Sequence, residues 1–172
     1  MKQLLLLVLL AVTACNDKNT AQTTVEDHTL TTFYFIRHAE KQKGPDPELT
    51  EQGLKRADAW KEYFFLKDVD AILSSNFKRT KQTAEPLASS KKMDVTIYDV
   101  GTMNGKKLLE EYRGSTVVLY GHSNTINSYA NDLQTEQSFK ELDESVYDQF
   151  FVVRIDDRGN ASAVKETMDF MD

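Results

Sequence analysis

Two runs constrain this chain more than anything else in it. Tyr34-Phe35-Ile36-Arg37-His38 and Val118-Leu119-Tyr120-Gly121-His122 close the two most apolar candidate strands of the chain, and each ends in a histidine. Near-continuous apolar runs of this length suit strands covered by helices on both faces, which puts them at the centre of a sheet. From Thr31 onward, further runs rich in β-branched and aromatic residues alternate with amphipathic segments of helical period. Strands are expected at Thr32 to Ile36, Ala71 to Ser74, Asp94 to Tyr98, Thr116 to Tyr120 and Gln149 to Ile155, with a last one at Ser162 to Glu166 after the turn Asp157-Arg158-Gly159-Asn160. The alternation predicts an α/β fold, a three-layer α/β/α sandwich around a mostly parallel central sheet. With 172 residues, 40% of them apolar, one such domain can build its core without metal or disulfide staples.

The helices have their own signals. Thr50 is placed to cap the first, with Leu49 and Leu54 as its hydrophobic staple, and Leu54, Ala57, Trp60 and Phe64 form one apolar face as far as about Leu66. A second helix from about Phe77 puts Thr80, Thr83, Ala84 and Leu87 on one face, and Pro86 should bend or end it. A third spans Lys106 to Tyr112 and stops at Gly114, and a fourth runs from about Asn124 to Leu133. Glu136 to Ser145 is polar and aperiodic and reads as a surface connection.

The amino end is of another kind. Met-Lys-Gln precedes nine apolar residues, Leu4 to Val12, and then Thr13-Ala14-Cys15, the layout of a secretory signal with its small-residue cleavage site. Nine residues fall far short of the roughly 20 a membrane-spanning helix needs. Val12-Thr13-Ala14-Cys15 resembles the lipobox at which bacterial lipoproteins are lipidated on cysteine and cleaved before it. The expected organisation is a signal peptide over 1–14, lipidated Cys15 with a polar tether over 15–30, and one domain over 31–172. The expected location is the bacterial cell envelope outside the cytoplasm, periplasmic or at the surface, anchored to a membrane through Cys15. Cleavage would leave 158 residues with a net charge of 20 − 27 = −7, and with no second cysteine no intrachain disulfide can form.

That acidic balance is opposite to the footprint of a phosphate-backbone binder, so nucleic acid is not an expected partner. A small anion is another matter, since positive groups focused in one pocket outweigh the summed charge. His38 and His122 end the two central strands, where ligands of open parallel sheets bind, and His28 lies in the tether. Arg37 precedes His38, and Arg79 falls in the first turn after the strand ending Ser74-Ser75. Guanidinium groups hold phosphate oxygens through paired, charge-assisted hydrogen bonds, and the helix start after His122 adds free amides.

These residues resemble the histidine phosphatase superfamily, also called the phosphoglycerate mutase-like fold, over nearly all of residues 32–155. The family's Arg-His-Gly is Arg37-His38-Ala39 followed by Glu40, and its Leu-Thr-x-x-Gly is Leu49-Thr50-Glu51-Gln52-Gly53. Its Ser-Ser-x-x-x-Arg-Thr-x-x-Thr-Ala runs from Ser74 to Ala84, and its late Gly-His is Gly121-His122. The resemblance implies a metal-independent phosphatase that needs no cofactor and acts on phosphomonoesters or phosphohistidine in a small molecule or phosphoprotein. It makes His38 the nucleophile that becomes a phosphohistidine, with Arg37, Arg79 and His122 around the phosphoryl oxygens and Asn124 either touching phosphate or capping the helix.

The pattern breaks at the general acid. Asp99, ending the third strand, and Glu40, two residues after the nucleophile, are the candidates, and either can equally be a solvated charge. The short connections leave no room for the helical cap of larger members, which favours good leaving groups or an open, protein-sized entrance. Three other readings stand beside this one. A lipid-anchored module could bind phosphate ligands with little or no turnover. A metal hydrolase could use His38, His122 and Glu40, but Arg37 would repel the dication. A serine esterase could use Ser123, but Thr125 stands where its elbow needs glycine.

Overall fold

The computed structural model describes residues 29–136 and 138–170; the leader, Cys15, His28 and most of the tether lie outside them. Six strands form one sheet: β1 (Thr31–Arg37), β2 (Ala71–Ser75), β3 (Val95–Tyr98), β4 (Thr116–Gly121), β5 (Gln149–Ile155) and β6 (Ala161–Thr167). Their order is β3-β2-β4-β1-β5-β6, which sets β4 and β1 side by side in the middle. The helices are α1 (Glu51–Tyr63), α2 (Lys78–Lys91), α3 (Gly105–Glu111) and α4 (Ile126–Asp132).

Strand parity sorts the core into two halves. Tyr34 and Ile36 of β1, with Val118 and Tyr120 of β4, pack under Trp60 and Phe64 of the α1 segment and Ala84 and Leu87 of α2. Phe33 and Phe35, with Val117 and Leu119, pack under Leu108 of α3 and Ile126, Tyr129 and Ala130 of α4. Period-2 alternation thus sends two large apolar sets to opposite faces, giving the three layers expected. Burying a side chain of this size contributes roughly 1.5–3 kcal/mol, so the central strands carry much of the stability.

The sheet is parallel in only one part. β3, β2, β4 and β1 run parallel, but β1 pairs antiparallel with β5, and β5 antiparallel with β6. The cause lies in the aperiodic stretch before β5. After β4, α4 carries the chain back along the sheet, and residues 134–148 return without a helix to the end where β1 and β4 finish. β5 therefore enters from that end, reversed. The stretch is no mere surface connection, since Leu142 is buried and the Phe139 ring packs at a tilt against Phe151 with centroids 4.7 Å apart.

Four local expectations change. Leu54 is half exposed, and Gly53 takes the buried place against the protein, so the apolar face of α1 is Gly53, Ala57, Trp60 and Phe64. A Cβ at Gly53 would run into the Glu40 carbonyl, so a larger residue could not sit there. The α1 helix stops at Tyr63, leaving Leu66 exposed. Pro86 does not end α2, which continues to Lys91. Finally, α4 starts at Ile126 and not at Asn124, because residues 122–125 form a turn in which Thr125 N donates to the His122 carbonyl at 3.1 Å. Among the described residues no helix is long and apolar enough to cross a membrane.

Candidate functional site

Register brings the two histidines together. Arg37 of β1 pairs with Gly121 of β4, so the next residue of each strand, His38 and His122, emerges at the same level. The His38 amide donates to the Gly121 carbonyl at 2.9 Å, and the ring centroids lie 5.6 Å apart. Gly121 has no room for a side chain, with Ile126 Cγ2 and Tyr98 Oη within 2.9 Å of where a Cβ would stand. The resulting cleft is lined by Arg37, His38, Arg79, His122 and Asn124, among others.

His38 is 3% exposed. Its Nδ1 lies 2.8 Å from the Ala39 carbonyl, which can only accept, so the proton is on Nδ1 and the lone pair on Nε2. Burial, followed by the charges of Arg37 and Arg79, pushes its pKa down to about 3, so the ring is neutral at pH 7. The Ala39 amide donates to Thr83 Oγ1 at 3.0 Å, and Thr83 donates to the Arg79 carbonyl at 2.7 Å. One threonine of α2 thus fixes the backbone beside His38 and the arginine's own helix turn.

His122 is held in the opposite tautomer. Arg79 Nη2 lies 3.3 Å from its Nδ1, and a guanidinium can only donate, so Nε2 carries the proton and donates to Ser75 Oγ at 2.9 Å. Ser75 Oγ is in turn 2.9 Å from Thr80 Oγ1. The pKa of His122 falls to about 4, chiefly by burial and then by Arg79. Phe77 closes the far side, its ring edge-on to His122 at 5.1 Å and stacked by Arg79 at 4.4 Å. The Ser-Ser and Arg-Thr-x-x-Thr-Ala elements are therefore one support for a single arginine and histidine.

Arg37 continues the parity of Phe33 and Phe35, so it points to the face covered by residues 138–148. It is 2% exposed; Nη1 donates to the carbonyls of Asp143 at 3.0 Å and Val146 at 2.8 Å, and the guanidinium lies 4.2 Å from the Tyr147 ring centre. Nε of Arg37 and of Arg79 is buried with no hydrogen-bond partner. Leaving such donors unsatisfied costs about 1–3 kcal/mol each, which an oxyanion reaching them would offset.

The two carboxylates put forward as acids lie elsewhere. Glu40 grips Arg56 with both oxygens, Nε at 2.9 Å from each and Nη2 at 2.6 Å from one, beneath the Leu-Thr-x-x-Gly turn whose Thr50 amide donates to the Glu40 carbonyl. Asp99 is exposed and caps a turn, accepting from Gly101 N at 2.9 Å. Neither lines the cleft. Asn124 does, exposed, and it does not cap α4. Two carboxylates the sequence did not single out do line it, Glu141 and Glu144. Their position depends on how residues 134–148 return across the sheet, which has no local signal. Among the described residues no three His, Cys, Asp or Glu side chains are grouped to hold a metal ion.

The fold is shared with known proteins. Residues 33–100 match the family model of the histidine phosphatase superfamily (branch 1). No curated protein matches the sequence. Among solved structures, the protein histidine phosphatase SixA complexed with tungstate shares the fold with a TM-score of 0.65 at 16% identity, covering 79% of this chain and 96% of that one. YhfR of Bacillus stearothermophilus superposes with a TM-score of 0.62 at 14% identity, over 81% of this chain and 98% of that one. A phosphoserine phosphatase from Entamoeba histolytica, in complex with phosphoserine, gives 0.59 at 17% identity, over 78% and 95%.

Proposed function

We propose that this chain, whose residues 33–100 match the histidine phosphatase superfamily model, is a phosphatase of that family and hydrolyses phosphomonoesters or phosphohistidine through a phosphoryl group carried on His38. The observation that supports this most is the neutral imidazole of His38, protonated on Nδ1 toward Ala39, with the Nε2 lone pair left for attack.

Phosphoryl transfer asks for an aligned nucleophile and for positive charge around the equatorial oxygens. In the first step Nε2 of His38 bonds to phosphorus as the bond from phosphorus to the leaving group breaks. The ring becomes cationic while it carries the phosphoryl group, and the Ala39 carbonyl holds the Nδ1 proton. Arg37 and Arg79 face the oxygens, and His122 positions Arg79 by accepting from its Nη2. In the second step water attacks phosphorus, the P–N bond breaks, and inorganic phosphate leaves with His38 restored. A low histidine pKa helps at both ends, because it keeps the nucleophile unprotonated and makes the phosphohistidine a ready donor.

Attachment to a membrane through Cys15 belongs to the same proposal. β1 begins at Thr31, at the sheet end opposite His38, so the chain joins the domain at the end away from the cleft. Release of phosphate from p-nitrophenyl phosphate, with and without EDTA, tests the activity. Turnover that survives EDTA and vanishes in His38→Ala is expected; undiminished turnover in that variant would refute the role of His38.

A further inference from the structure

We propose that Glu144 is the proton donor to the leaving group, an assignment that rests on the phosphatase reading above. It fills the place for which Asp99 and Glu40 are unsuited by position. Residues Asp143 to Val146 form a closed turn: Val146 N donates to the Asp143 carbonyl at 2.9 Å, and Ser145 N to Asp143 Oδ1 at 2.8 Å. Glu144 stands at the head of that turn. Arg37 Nη1 binds the Asp143 and Val146 carbonyls on either side of it, and Tyr147 stacks on the same guanidinium. The arginine that faces the phosphoryl group therefore also fixes the backbone that carries Glu144.

Glu144 lines the cleft beside Arg37, His38, Arg79 and His122. Its charge acts on both Arg37 and Arg79. As the bond from phosphorus to oxygen breaks and the bond to His38 Nε2 forms, the protonated Glu144 carboxyl gives its proton to the departing alkoxide. The resulting carboxylate is then placed to take one from the water that attacks the phosphohistidine.

The test is a leaving-group comparison in the full chain, wild type beside Glu144→Gln. p-Nitrophenolate departs as a stable anion, while an aliphatic phosphomonoester such as β-glycerophosphate must release an alkoxide. In Glu144→Gln the kcat/KM ratio of aliphatic to aryl ester should fall by about a hundredfold, the usual worth of a positioned acid. The alkaline limb of the aliphatic pH profile should vanish with it. Glu141→Gln should leave the ratio unchanged, and since Glu144 is exposed, the melting temperature should stay at the wild-type value. An unchanged ratio in Glu144→Gln, a selective loss in Glu141→Gln, or a wild type that hydrolyses only the aryl ester overturns the assignment while the phosphatase reading stands. A wild type that hydrolyses neither ester overturns both.

Discussion

His38 and His122 face each other in opposite tautomers, and neighbours fix each choice. The Ala39 carbonyl keeps a proton on Nδ1 of His38, and Arg79 keeps one off Nδ1 of His122. Arg79 holds His122 and, in the proposed mechanism, faces the phosphoryl oxygens, so Arg79→Ala should lower kcat for p-nitrophenyl phosphate by roughly a hundredfold or more, the cost of losing one transition-state donor. Wild-type kcat in that variant would remove Arg79 from the site. The depressed pKa values also set a stability dependence. Native values near 3 and 4 lie below the ordinary 6.5, so between these limits the unfolded chain binds more protons than the native one. Stability is then full above pH 6.5 and falls as pH drops through that window. Melting temperatures from pH 8 to 5 should decline in the wild type and decline less in His38→Asn; parallel curves would contradict the burial of a neutral His38. At this scale the sequence made legible which residues meet in one cleft, Arg37, His38 and His122 at strand ends and Arg79 in the first turn of α2. It was silent on Glu144, whose place depends on Arg37 more than a hundred residues away.

The elements show which sequence patterns carry structural instructions. Leu-Thr-x-x-Gly reads as a helix cap, and Thr50 Oγ1 does accept from the Gly53 amide at 3.1 Å. Its glycine has a second role, since α1 packs there directly on the Glu40 backbone, two residues from His38. Gly53→Ala should therefore destabilise by about 1–3 kcal/mol through overpacking, despite alanine's better helix propensity. A melting temperature lower by several degrees, with kcat reduced as the Glu40 segment shifts, is the expected result; an unchanged pair would show that the segment yields freely. Leu54 misled because helical spacing alone does not tell which of two adjacent stripes faces the sheet. Pro86 misled because the Gln82 carbonyl it leaves without a helical donor is a local loss that burial of Thr83, Ala84, Leu87 and Ala88 outweighs.

Over the whole molecule, the sheet divides into a parallel part that makes the cleft and an antiparallel pair that closes its edge. The alternation of strands and helices made the first part legible. The reversal at β5 was not, because nothing in Glu136 to Ser145 tells which way an aperiodic stretch crosses a sheet. The same layout puts chain entry and cleft at opposite ends, so Cys15→Ser should free the protein from the membrane fraction without changing kcat/KM for a soluble ester. Retention on the membrane would contradict the anchor. The central claim is the covalent step, and the most direct test is to mix the wild type with p-nitrophenyl phosphate, quench in alkali and measure the intact mass. The account expects a population heavier by one phosphoryl group, stable to base, labile to acid and absent from His38→Ala. A phosphoryl group on another residue, or turnover at the wild-type rate in His38→Ala, would contradict it.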